Sequence, residues 1–262
     1  HYFLKQQLDI RLFDSAKEAE EREPFVLDKL DAYNINQQWI EHELNDQPFS
    51  LQKLLARGQW VSGIVGELEY QSQQLAIAEF VSEIEQQQVG VKKQDLPIDI
   101  TVSDYRLLGN LGNLYENTGL YYRYASLKGK DFMQAWLHHL IINQVQAQDT
   151  CLLSMDESLT FSSDLAQLTD LEKLVDLYIQ GQQQPGAFFT EASFAYIKQE
   201  FNSRAKKPAI SVAQEQLSKE IGYDRSMQLL YQNVEDLTEL LNESFEAVCL
   251  DLVLPVWGAI KN

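Results

Sequence analysis

Residues 105–140 read YRLLGNLGNLYENTGLYYRYASLKGKDFMQAWLHHL, and the two periodicities inside this stretch decide the fold class. Leu107, Leu111 and Tyr115 keep the even spacing of one strand face. Glu116-Asn117-Thr118-Gly119 supplies residues that tolerate a tight turn, and Tyr121, Tyr122 and Tyr124 are good strand formers. From Asp131 the period becomes helical, with Phe132, Trp136, Leu137 and Leu140 on one face. The expectation is a β-hairpin feeding directly into a helix.

Working outward, Ile98 to Val102 alternates as a strand, after a break at Asp95-Leu96-Pro97. Glu67 to Gln87 is expected to be a long helix with Leu68, Leu75, Ala78 and Ile84 inward. Before it come a short amphipathic helix over 2–11 (Phe3, Leu4 and Leu8 on one side), a charged exposed run over 14–23 and a helix over 27–42. That last helix turns Leu30, Tyr33, Trp39 and Ile40 inward, and a turn of helix over 51–56 follows, closed by Gly58. On the other side, 150–155 and 157–161 read as paired strands. A helix over 163–180 would be capped by Ser162 or Ser163 and closed by Gly181, with further helices over 191–201, 212–221, 225–234 and 237–257. The sum is an α/β fold: a mixed sheet flanked by helices, with added helices at both ends. Residues 1–97 form a helical segment, 98–202 the α/β core and 203–262 a second helical segment, all within one structural domain.

The 262 residues are enough to bury a full core. Acidic side chains outnumber basic ones 39 to 21, a formal charge of −18. That balance argues against a free-standing nucleic-acid binder and suits solubility or a basic protein partner. Cys151 and Cys249 are the two cysteines, without CxxC or His pairing, so they read as small core residues in a reducing, cytoplasmic setting. No apolar run is long enough for a membrane span. The chain opens on His1, as a piece cut from a longer polypeptide would.

A hairpin followed by a helix is a framework on which metal-dependent nucleases place an Asp on one strand and [DE]-x-K on the next. The acid and the lysine then share a strand face. No lysine in this chain has an acid two positions before it. The three positions fall on Gly112, Arg123 and Ala125, so the site reads as vacant, with no catalytic residue, metal or cofactor. Asp99 and Asp104, five apart, face opposite ways. His138 and His139 are adjacent on a helix and lack a ligand at i+4, so one reads as a helix-edge residue and the other as exposed. Trp136 reads as a core anchor. Arg123, Lys128 and Lys130 are the candidates for touching a DNA phosphate, and equally suit a strand end and a helix start. Phosphate-binding glycine loops and a nucleophile elbow are absent from the sequence.

RYASLKGKDFMQAWLHHL resembles the C-terminal domain of the RecC family, the gamma subunits of exodeoxyribonuclease V. That family runs R-[WY]-R-P-x-x-L into W-[LI]-E-H-L. Arg123, Tyr124, Leu127, Trp136, Leu137, His139 and Leu140 match, while Ala125, Ser126 and His138 depart. YFLKQQL at 2–8, Glu23-Pro24-Phe25, YNINQQ at 33–38, Gly66-Glu67, the glycine strand at 107–111 and LYIQGQQQP at 177–185 agree in order. The resemblance implies a restriction-endonuclease-like core whose nuclease residues are lost. It implies a structural and DNA-contacting role beside RecB-like and RecD-like subunits, near the point where duplex DNA is parted, in double-strand break repair. ATPase and cutting sites would then lie on the partners. Two other readings stay open: an active nuclease with carboxylates relocated to Glu67 and Glu116, and an acidic protein-interaction domain.

Overall fold

The computed structural model describes residues 2–10, 27–88 and 95–261. The acidic run at 14–23 and the Glu23-Pro24-Phe25 match lie outside those residues.

Helix α1 (Tyr2–Gln7) buries Leu4 but leaves Leu8, just past its end, half exposed. Helix α2 (Lys29–Leu44) begins where the Asp28 carboxylate accepts from the N–H groups of Leu30 and Asp31. Its buried residues are Ile35, Trp39 and Ile40; Leu30, expected inside, is exposed because it lies on the opposite face. A single turn α3 (Leu51–Ala56) ends at Gly58, as its spacing predicts.

Helix α4 (Gly63–Gln87) starts earlier than expected and turns a different face inward. Ile77, Phe80, Val81 and Ile84 are buried, while Leu68, Leu75 and Ala78 are exposed. The aromatic residues set this face. Tyr70 stacks on Trp39 at 4.5 Å, and one turn on Gln73 donates to the Tyr124 hydroxyl. The 70/73/77/80/81/84 stripe is the one that keeps helical spacing through to the tyrosines of the sheet.

Strands β1 (Leu96–Val102) and β2 (Tyr105–Leu111) form an antiparallel hairpin of their own. Strand β3 (Thr118–Arg123) does not pair with β2 along its length, contrary to the expected hairpin. The Glu116–Gly119 turn does exist. The Tyr115 N–H donates to the Thr118 carbonyl and the Leu120 N–H to the Asn113 carbonyl, closing one bridge between Leu114 and Gly119. Beyond that bridge Asn113 takes a positive φ of 57° and the strands diverge. Helix α5 (Gly129–Asn143) then carries the chain to β4 (Asp149–Ser154), which lies parallel to β3, and β5 (Ser158–Phe161) returns antiparallel on β4.

Helix α6 (Leu168–Gln183) begins five residues later than expected and runs through Gly181. The Ser163 N–H is taken by the Asp149 carboxylate at 2.8 Å, so residues 163–165 form only a 3-10 turn and Ala166 is extended. Helices α7 (Thr190–Glu200), α8 (Ala209–Tyr223) and α9 (Arg225–Tyr231) follow. The single helix expected over 237–257 is divided. A 3-10 turn stops at Leu240, and the Asn242 side chain caps a new start for α10 (Glu243–Val248). A π turn over Cys249–Val253 then leads into α11 (Leu254–Lys261), whose Pro255 lacks an N–H and clashes with the preceding turn of a regular helix.

The β3–β4–β5 sheet separates two layers. Leu120, Cys151 and Leu153 face Trp39, Ile40, Phe80 and Ile84 of α2 and α4. Leu152 and Phe161 face the other way, onto Trp136, Leu140, Ile197 and Phe245. That second cluster joins the core to the C-terminal helices up to Ala259. Trp136 is 2% exposed, the anchor its position predicts. Both cysteines are buried, and burial raises both thiol pKa values, Cys249 to about 12.

Candidate functional site

Strand β3 ends at Arg123, between the layers, and that position determines what its guanidinium meets. Through Nη1 it reaches both Asp131 oxygens, at 2.6 and 2.7 Å, and it lies over the Tyr33 ring of α2 at 5.4 Å. The pair is largely enclosed: the side chains are 16% and 13% exposed. Arg123 Nε and Gln37 Nε2 are buried and have no hydrogen-bond partner among the described residues. Both residues line a cleft of 260 Å³ together with Asn113, Asp131 and Gln134. Among the described residues the one carboxylate lining that cleft, Asp131, is therefore held by the arginine.

Asp131 belongs to a ring of contacts at the start of α5. Its Oδ2 accepts from the Lys128 N–H at 2.8 Å. Glu191, from the first turn of α7, accepts from the N–H groups of Gly129 and Lys130 at 2.9 and 3.3 Å. A helix N-terminus is an anion site, and here carboxylates of the same chain fill it. Gly129 is required by this docking: a Cβ there would lie 2.9 Å from both the Phe194 ring and the Thr190 carbonyl oxygen. Glu220 repeats the device one helix on, accepting from the Glu191 and Ala192 N–H groups. Burial raises the Glu220 pKa while those two N–H groups pull it down.

The other two positions on which the expected nuclease pattern falls lie beyond the ends of their strands. Gly112 follows the end of β2, with the Asp95 carboxylate 3.1 Å from where its Cβ would sit. Ala125 lies two residues past β3, and its N–H turns back to the Arg123 carbonyl at 2.8 Å. Positions 123 and 125 thus do not share a strand face, because the strand has stopped. Lys128 and Lys130 are exposed at the head of α5. Asp99 is held across the hairpin by Arg106, at 2.7 and 2.6 Å, which keeps its carboxyl below the usual range. Asp104, Glu67 and Glu116 are exposed. Among the described residues, no three or more His, Cys, Asp or Glu side chains are grouped to hold a metal ion.

Neither histidine of α5 is exposed, contrary to the expected split. His139 is fully buried: Nε2–H donates to the Ser162 carbonyl at 3.2 Å, so Nδ1 accepts from the Thr150 hydroxyl at 3.0 Å. Burial pushes its pKa down to about 4. His138 is half-buried against Tyr121, 4.8 Å between ring centroids, and its pKa is also lowered by burial. Asp131, Glu191 and Tyr33 are the site residues that spacing does not single out. An acid three residues after Lys128, at a helix start, is the one local signal.

The family model for the RecC C-terminal domain matches residues 1–201. The RecBCD enzyme subunit RecC of Escherichia coli (strain K12) is 25% identical over 203 residues, which cover 75% of this chain and 18% of that protein. The chain therefore spans less than a fifth of that relative's length. No helix among the described residues is long and apolar enough to cross a membrane.

Proposed function

Because the chain belongs to the RecC C-terminal domain family, we propose that it is a non-catalytic, structural and DNA-contacting part of a RecC-type subunit. In this reading it works within a RecBCD-type helicase–nuclease, in duplex unwinding and in double-strand break repair by homologous recombination. RecB-like and RecD-like subunits are its partners in the cytoplasm and carry the ATPase and nuclease sites. The layered core at 98–202 is a restriction-endonuclease-like framework, extended by helices on either side. The observation that carries the reading is the Arg123–Asp131 pair. Where a nuclease would hold Mg²⁺ with free carboxylates, the one acid among the described residues of the cleft is neutralised by an arginine. Lys128 and Lys130, outside that pair, are the cations free to meet a DNA phosphate, with Arg123 behind them.

The test is reconstitution of the full-length subunit with its helicase and nuclease partners. Substituting both Glu67→Gln and Glu116→Gln should leave Mg²⁺-dependent cleavage by the assembled enzyme within about twofold of wild type. A loss of about 100-fold or more would place catalysis on this chain, with relocated carboxylates.

A further inference from the structure

Gly109 lies midway along β2, on the face that carries Leu107 and Leu111, and nothing sits within 4 Å of where its Cβ would be. A glycine inside a strand usually marks a bulge or a close approach by another backbone or ligand. There is no bulge: the register with β1 is unbroken from Leu96↔Leu111 to Val102↔Tyr105. The space over Gly109 opens into an apolar groove of 910 Å³ between β2, α5 and α6. Leu108 at 66% exposure and Tyr178 at 64% stand among its walls.

Every residue of β2 lines this groove, from both faces, so it follows the strand's edge. Among the described residues nothing pairs with that edge of the two-stranded sheet. Val102 and Tyr105 flank a two-residue turn, so alternate pairs from there face β1, and Arg106, Leu108 and Asn110 turn their N–H and C=O groups outward. The groove is also uncharged in character. Among the described residues no carboxylate lines it, although the chain carries −18, and the one guanidinium there, Arg106, is held by Asp99. A groove free of acids in so acidic a chain matches an uncharged occupant, and an open edge matches an extended one.

We propose that an extended segment of a partner protein, uncharged and with a large apolar side chain at every second position, adds to the free edge of β2 and seats one of those side chains over Gly109. The proposal rests on the reading of this chain as an assembly domain and names one place where assembly occurs.

Hydrogen exchange on the full-length subunit, alone and assembled with its helicase and nuclease partners, tests it. The amides of Arg106, Leu108 and Asn110 should exchange at least about tenfold more slowly in the assembly than in the free subunit. Gly109→Phe projects into open space, so it should leave thermal unfolding of the subunit unchanged while weakening assembly by about tenfold or more. Leu108→Lys should do the same from the groove wall. Protection already complete in the free subunit would overturn the proposal, since the edge would be covered by its own chain or a second copy. So would wild-type assembly by Gly109→Phe. If the wild-type subunit assembles with those amides unprotected, the groove proposal alone fails. If it does not assemble at all, the assembly reading falls with it.

Discussion

Arg123 and Asp131 stand in a largely enclosed cleft, so each depends on the other more than an exposed pair would. Removing either leaves a charge with little water to compensate it. Asp131→Ala should cost about 2–3 kcal/mol of unfolding free energy by urea titration, because it also removes the acceptor for the Lys128 N–H. Arg123→Met combined with Asp131→Leu should cost less than the sum of the single losses. His139 supplies a second test, by pH. Its folded pKa of about 4 lies below the ordinary value of 6.5, so the unfolded chain binds more protons between those limits. The stability it contributes is fully present above about pH 6.5 and is lost as pH falls toward 4. In His139→Gln, the drop in stability between pH 7 and pH 4.5 should be shallower than in wild type. An equal drop would mean that His139 is not held neutral by burial.

At the scale of elements, α5 is fixed at its head by carboxylates and by a close approach to α7. Glu191→Ala should lower stability by about 1–2 kcal/mol through two uncapped N–H groups. Gly129→Ala should cost about 1–3 kcal/mol through overlap with Phe194 and Thr190; thermal unfolding reads both. The existence of β1, β3, α5, β4, β5 and α7 is legible in local pattern, because each carries a period that its own residues enforce. The pairing of β5 on β4 is legible as well, from the short turn between them, but the partners of β2 and β3 are not. Sheet membership depends on where the chain turns at Asn113, and the even spacing of Leu107, Leu111 and Tyr115 runs across that turn unchanged. The inward face of α4 is hidden from sequence because leucines at 68 and 75 outweigh an aromatic stripe that only the partners Trp39 and Tyr124 reveal. Arg123 is legible as a cation at a strand end. The acid that answers Arg123 lies on the next helix and cannot be assigned from spacing.

The whole molecule places a sheet between an α2–α4 layer and a larger helical layer that takes in the C-terminal segment. Its net negative charge suits protein contacts, while Lys128 and Lys130 make one exposed basic pair and Lys206 and Lys207 another. In the proposed assembly, Lys128→Glu with Lys130→Glu should weaken binding to a forked duplex by about 3- to 10-fold. It should also reduce the steepness of the salt dependence by up to about 0.9 for each phosphate no longer neutralised. Unchanged affinity and slope would remove these lysines from the DNA path. The most direct measurement is cleavage of linear duplex DNA by the full-length subunit without its partners, in Mg²⁺ or Mn²⁺. No EDTA-sensitive products are expected. Cutting that EDTA abolishes, and that Glu116→Gln or Asp131→Asn also removes, would contradict it.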